Sequence, residues 1–203
     1  MALCRRMAGH AFSAASGLTR RGIGTHVASD GSPAMVDVAD KAVTKRVALA
    51  AAVLELPPTV SAALRAHMAE TTGGAVDADS ALRSWQTKKG PILSTSVVAA
   101  TMAVKATSNT IPFCHPLPIE GCKVESSVGP DFSAINFTVR VTTTHKTGVE
   151  MEALHGATVA ALTAYDMLKG IEGAQPGLTI RDVRLLEKTG GKSDVASRSA
   201  REP

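Results

Sequence analysis

The sequence predicts an α+β fold, with helices packed on one face of a mainly antiparallel sheet. Three observations carry this expectation. Segments of strand and helical character follow in the order strand, two helices, two strands, long helix, strand. The two middle strands are joined at Gly129-Pro130-Asp131, a hairpin-type turn. No internal repeat interrupts the order.

Residues 44–55 are rich in valine and alanine and read as a strand that Pro57-Pro58 stops. Residues 59–70 read as a short helix. A polar stretch with paired glycines, 71–79, follows as a mobile loop. Residues 93–108 place Val97, Val98, Met102 and Val104 at helical spacing. Pro112 and Pro116 then force an extended or turn segment around Cys114-His115. Strands are expected at 119–127 and 133–143. The longest helix should run from about Gly148 to Lys169, ended by Gly170 and Gly173. A last strand is expected at 178–187.

A chain of 203 residues with 44% hydrophobic and 20% charged residues suffices for one domain with a substantial core. The net charge of +4 is concentrated at one end. Residues 1–33 hold four arginines (Arg5, Arg6, Arg20, Arg21) against Asp30 alone, a local +3. The remainder is nearly neutral, and aromatics are 3%, so no nucleic-acid partner is expected. No apolar run reaches bilayer length, and no membrane partner is expected. The Arg-, Ser- and Ala-rich segment 1–33 has the composition of an organellar transit peptide, with a plain disordered tail as its alternative. Mitochondrial matrix is the expected location, ahead of plastid or cytoplasm. Residues 34–194 then form a single catalytic domain, and 195–203 a disordered tail. Cys4, Cys114 and Cys122 make no disulfide framework and have no zinc-clasp spacing.

Several residue groups could carry chemistry, each beside a plainer reading. Thr147-Gly148-Val149-Glu150 matches a capping box, which would leave Glu150 only closing the helix. Glu152 has no such duty, and its plainer role is to face the positive helix end. Glu152 and Asp166 fall within about 40° of one helix face but about 21 Å apart along the axis. One small substrate touches both only if two subunits each give a different end of this helix. Asp166 and Lys169 are neighbours at i, i+3, which is also a plain ion pair. His115 sits in a constrained backbone beside a cysteine, as a site histidine or a solvated one. Lys88-Lys89-Gly90-Pro91 before a helix, with Lys45-Arg46, could hold a phosphate, or be solvated basic pairs. Lys188-Thr189-Gly190-Gly191-Lys192-Ser193 imitates a P-loop but lacks its first glycine and a following helix. A Gly-rich basic tail could still fold over phosphates.

Five motifs in order resemble the cyclic pyranopterin monophosphate synthase (MoaC) family of molybdenum-cofactor biosynthesis. They are Met35-Val36-Asp37-Val38, Lys89-Gly90, Ile111-Pro112-Phe113-Cys114-His115-Pro116-Leu117, Lys146 to Leu154, and Tyr165-Asp166-Met167; the Lys188-to-Ser193 tail also fits. The resemblance implies a ferredoxin-like fold assembled as a homohexamer built from dimers, with sites shared between subunits. It implies a lyase acting on 3′,8-cyclo-7,8-dihydroguanosine 5′-triphosphate, giving cyclic pyranopterin monophosphate and pyrophosphate. No redox cofactor is implied and no metal site is expected, and whether Mg²⁺ travels with the triphosphate stays open. Asp166 would be the principal acid/base, with Lys169, Lys89 and His115 also catalytic. Phe113, Cys114, His115, Met151, Glu152, Arg46 and Lys192 would bind substrate. Phe113 stands where leucine is common, Pro91 follows Gly90 where aspartate is frequent, and the 71–82 loop is long. His155 is read as surface. Two other classes compete: a non-catalytic pterin or nucleotide carrier, and a zinc-dependent cyclohydrolase, whose ligand spacing is missing.

Overall fold

A computed structural model describes residues 31–72, 78–129 and 131–196. The chain divides into two units, of which the first ends at Val36. Every element below belongs to the second, from Asp37 onward. The leader expected at 1–33 lies almost wholly outside the described residues.

The elements in order are β1 (Thr44–Glu55), α1 (Pro58–Thr72), α2 (Ala78–Ser84), β2 (Gln86–Thr87), β3 (Gly90–Pro91), α3 (Ile92–Lys105), α4 (Thr107–Thr110), β4 (Gly121–Val128), β5 (Ala134–His145), α5 (Glu150–Leu168), β6 (Thr179–Thr189) and β7 (Val195–Ala196). The main sheet runs β4-β5-β1-β6-β7, antiparallel throughout. Its strands β1, β4, β5 and β6, with the helices between them, follow the ferredoxin-like order expected. The small pair β2 and β3 forms a separate hairpin.

Alternation explains why one sheet face is core. In β1, Ala48, Ala50, Ala52 and Leu54 are buried, and in β5, Ile135, Phe137, Val139 and Val141. Helix α5 covers this face with a stripe of small residues, Ala153, Gly156, Ala157, Ala160, Ala161 and Ala164. Small side chains let the helix axis come close. A Cβ added at Gly156 would stand 2.7 Å from Val104 Cγ2 and 3.1 Å from Val139 Cγ1, so α3, α5 and β5 meet there with no spare room. Leu54, Leu64, Leu82, Ile92 and Leu168 complete the core toward α1 and α2.

The expected elements are all present, with local corrections. The 93–108 helix starts at Ile92 and breaks at Ala106, whose amide donates to the Met102 and Ala103 carbonyls, both at 3.0 Å. One further turn, α4, follows. The polar 71–79 stretch contains the end of α1 and the start of α2, and its residues 73–77 lie outside the described ones. No capping box opens α5. Its N-cap is Val149, with no side-chain cap bond, because the helix begins at Glu150 itself. The β4–β5 turn is closed by Phe132 N–H donating to Gly129 O at 2.9 Å, with Phe132 in the left-handed region (φ 59°). Val195 and Ala196, expected in the tail, pair with Lys188 and Glu187, and 197–203 lie outside the described residues. No helix among the described residues is long and apolar enough to cross a membrane.

Candidate active site

Helix α5 organises the candidate site because its two ends carry different chemistry. At its C-terminal end, Asp166 is held between two ammonium groups. Lys89 Nζ lies 2.6 Å from Asp166 Oδ2 and donates at 2.8 Å to the Asp166 main-chain carbonyl. Lys169 Nζ lies 2.8 Å from Oδ1. The bonds from Lys169 and Lys89 hold the Asp166 carboxyl down at about 2, and Asp166 in turn raises Lys169. All three side chains are about half exposed, so the cluster is open to an incoming ligand.

The β2–β3 hairpin brings Lys89 there. Gln86 pairs with Pro91 and Thr87 with Gly90, leaving Lys88 and Lys89 at the tip. Gly90 has φ +109°, a conformation open to glycine, which lets the chain reverse in so few residues. Of the readings open for this pair, a phosphate holder or a solvated basic pair, the structure shows Lys89 reaching across to Asp166, the residue beside which the family resemblance sets it. Beneath the lysines lies a cavity of about 490 Å³ walled by Ala63, Trp85, Met167 and Ile171.

At the N-terminal end of α5 lies a second, basic basin of about 790 Å³. Arg46 enters it from β1, with Nε donating to His145 O and Nη2 to Lys146 O, both at 3.3 Å. These bonds pin the guanidinium stem. Lys146, Lys188 and Lys192 line the same basin, and Asp37, Asp40 and Glu150 are its acids. Glu150 Oε1 lies 3.3 Å from Lys188 Nζ. The Gly-rich tail drapes over β1: Thr44 Oγ1 donates to Gly190 O at 2.7 Å, and a Cβ on Gly190 would stand 1.9 Å from Lys45 O. Only glycine fits that approach, at φ +82°. After the tail comes β7 and no helix, so the P-loop likeness ends in strand.

A third group flanks the first turn of α5. Glu152 is 4% exposed and burial is the main reason its carboxyl is pushed up to about 7; Glu150's charge adds to this. Cys114 sits in the turn closed by its N–H to Ile111 O, and burial and then Glu152's charge raise its thiol. His115 is half-buried beside it, while Phe113 and Met151 are exposed.

One chain therefore unites Lys89, Asp166 and Lys169, unites Arg46 with Lys192, and sets Cys114 near Glu152. It does not bring the first group to the other two. Sequence reasoning missed the Trp85 cavity, whose only signal was the lone tryptophan of the chain. It also misread His155, which is half-buried with Nδ1 3.2 Å from Thr107 Oγ1. Among the described residues, no group of three or more His, Cys, Asp or Glu side chains is placed to hold a metal ion.

The chain is 47% identical over 174 residues to a cyclic pyranopterin monophosphate synthase of Xanthomonas campestris pv. campestris, spanning 85% of this chain and 93% of that one. A protein of the same name from Sulfurovum is 40% identical over 86% of this chain and 98% of its own. Molybdenum cofactor biosynthesis protein 1 of Dictyostelium discoideum is 44% identical over 83% of this chain, which spans only 26% of that longer protein. The MoaC family model matches residues 35–191, a stretch holding the Asp166 cluster, the Arg46 basin up to Gly191 and the buried Glu152, and the chain belongs to that family.

Proposed function

We propose that this chain is a cyclic pyranopterin monophosphate synthase of molybdenum-cofactor biosynthesis. It acts as a lyase on 3′,8-cyclo-7,8-dihydroguanosine 5′-triphosphate and releases pyrophosphate. The observation that carries the reading is the Lys89, Asp166, Lys169 cluster, built on α5 in a chain of this family.

The chemistry needs proton transfers and charge stabilisation. When the cyclic phosphate closes, a sugar hydroxyl oxygen bonds to the α-phosphorus and the bond to the β-phosphate breaks. The hydroxyl proton passes to a base, and pyrophosphate leaves with its charge. Asp166 is the proposed acceptor, and Lys89 and Lys169 are donors. Because both ammoniums hold its carboxyl at about 2, Asp166 takes a proton only as one of them gives its own up or turns to the substrate. His115 and Glu152 serve the ring opening and rebuilding, with Glu152 near neutral and able to act in either sense. Phe113, Cys114 and Met151 contact substrate beside them. Arg46, Lys188 and Lys192 receive the phosphates. Any Mg²⁺ carried in on the triphosphate counts here as part of the substrate.

The two ends of α5 serve different pockets, each completed by a neighbouring copy in a homohexamer of dimers. Residues 1–33 direct import to the mitochondrial matrix. The support for these two points is the length of α5 and the composition of the leader. The decisive experiment supplies purified protein with the cyclised GTP intermediate and follows pyrophosphate. Stoichiometric pyrophosphate and a pterin product are expected; wild-type protein that binds the triphosphate without turnover is a carrier, and the reading fails.

A further inference from the structure

The break between α3 and α4 is held by a residue of α5. Thr107 opens α4 and is 1% exposed. Its hydroxyl donates to the last carbonyls of α3, Ala103 O and Val104 O, both at 3.1 Å. Carbonyls at a helix end otherwise lack donors. With its one proton directed there, Thr107 Oγ1 has only lone pairs left for His155 Nδ1, 3.2 Å away. The bonds therefore assign His155 the form with its proton on Nδ1, donating to Thr107.

From Thr107 the bonds run on toward the candidate site. Ile111 N–H donates to Thr107 O at 2.8 Å, and Cys114 N–H donates to Ile111 O at 3.1 Å. Pro112 and Pro116 have no N–H, which leaves the turn few other backbone donors to fix it. The path starts on the face of α5 that bears Glu152, because His155 follows Glu152 by three residues. Glu152's charge reaches the Cys114 thiol from that face. Helix α5 thus carries the buried carboxyl and also grips the segment that bears Cys114 and His115. Stability alone does not call for a polar pair here, since apolar groups of the same shape would be nearly neutral. What the hydrogen bonds add is a fixed distance and direction.

We propose that His155 is a positioning residue: through Thr107 and Ile111 it sets the place of the Cys114-His115 turn against Glu152. Its effect on turnover rests on the synthase reading; its hold on the turn does not.

The test uses the full chain and two readouts. One is steady-state kinetics with the cyclised GTP intermediate. The other is the rate of iodoacetamide labelling at each cysteine, read peptide by peptide by mass spectrometry. His155→Leu removes the donor and keeps an apolar side chain in its place. Its kcat should fall roughly 10- to 100-fold, as for a misplaced reacting group, with a smaller change in KM. Cys114 should label several-fold faster, since burial and Glu152's charge hold its thiol up and both relax when the turn swings out. Cys122 is the internal control: it lies on β4 beside Thr101, before the break, and its rate should not change. Thr107→Val, of the same shape as threonine, should reproduce His155→Leu, and the double variant should be no worse than either alone. His155→Asn returns an N–H near the place of Nδ1 and should restore both readouts. His155→Gln offers one only where Nε2 stood and should not.

Unchanged Cys114 labelling in both His155→Leu and Thr107→Val overturns the proposal, whatever happens to kcat. Equal acceleration at Cys122 overturns it too, because the pair then serves global stability alone. Faster Cys114 labelling with kcat unchanged ends the positioning role, and rescue by Gln as full as by Asn ends the path through Nδ1. Wild-type protein without turnover ends the synthase reading instead, while the Cys114 and Cys122 rates still decide whether His155 holds the turn.

Discussion

Lys89 grips Asp166 twice, through the carboxylate at 2.6 Å and the main-chain carbonyl at 2.8 Å. The two residues are 77 positions apart, and the contact ties the β2–β3 hairpin to the C-terminal end of α5. A lysine bound to both kinds of oxygen is oriented as well as neutralised.

Asp166→Asn should therefore separate positioning from folding. It keeps the shape but removes the charge that holds both ammoniums. A loss of roughly 100-fold or more in kcat is expected, in the range of a removed acid/base group. Stability should barely change, since exposed ion pairs contribute little. The folded-state pKa is depressed to about 2, so any stabilisation is present above the ordinary carboxylate range and lost only as pH falls through about 2. The melting temperatures of mutant and wild type should thus agree at pH 6–8. An active Asp166→Asn would remove Asp166 from the mechanism.

Glu152 has the opposite sign. Its carboxyl is raised from 4.5 to about 7, so the folded state binds its proton more tightly than the unfolded chain. The corresponding stability is fully present below about 4.5 and lost as pH rises through about 7. The whole effect is on the order of 3 kcal/mol, since each pKa unit is about 1.4 kcal/mol. The melting temperature should fall between pH 5 and 8, and Glu152→Gln should flatten that slope. Glu150→Gln should move the midpoint down, because Glu150's charge helps to raise Glu152. A slope unchanged in Glu152→Gln would assign it to another group.

Much of this was legible beforehand, and the failures have physical causes. The bounds of β1 follow from a Val/Ala run closed by two prolines, and the hairpin from Gly129 and Asp131. The α2 helix and the β2–β3 pair were missed because seven- and two-residue elements are too short to show a period. The Thr147 capping box was a false signal: Glu150, its reach-back residue, is the first helical residue and turns toward Lys188. His155 read as surface because its partner, Thr107, lies 48 positions away in a helix break. The Asp166–Lys169 pair was visible as i, i+3 neighbours. Lys89 joins them only through tertiary folding, 77 positions from Asp166; the Lys88-Lys89-Gly90-Pro91 pattern marked it as a candidate cation but gave no sign of that partner.

The phosphate basin depends on a close backbone approach. Gly190→Ala would push a methyl into Lys45 O and cannot keep φ +82° without strain. The 190–193 segment should lift away from Arg46 and Lys192 should leave the basin. KM should rise about tenfold or more with a smaller change in kcat, as for lost binding that is equal in ground and transition states. Arg46→Ala should do the same and reduce the dependence of KM on salt. Steady-state kinetics at two ionic strengths checks both.

Packing under the site predicts a stability effect free of catalysis. A methyl at Gly156 meets Val104 Cγ2 at 2.7 Å, and Val104 is itself buried and branched, with little freedom to turn. Gly156→Ala should destabilise by about 1–3 kcal/mol despite the better helix propensity of alanine. Adding Val104→Ala should recover part of the loss, so a denaturant-unfolding cycle would show coupling between the two positions.

The strongest test concerns the two ends of α5. Glu152 and Asp166 lie on the same helix, 14 residues and about 21 Å apart along its axis, with the basic basin at one end and the lysine cluster at the other. A substrate the size of one nucleotide cannot bridge both within a single chain. If two copies share each pocket, Arg46→Ala and Asp166→Asn damage opposite halves of it. Unfolding and refolding an equimolar mixture then makes mixed pairs in which one pocket carries both defects and the other carries neither. With two-fold pairing, about one site in four becomes wild type. Each variant alone should be nearly inactive and the mixture should recover about a quarter of wild-type activity. A mixture no more active than the mean of its parts would place the whole reaction within one chain and end the shared-pocket proposal.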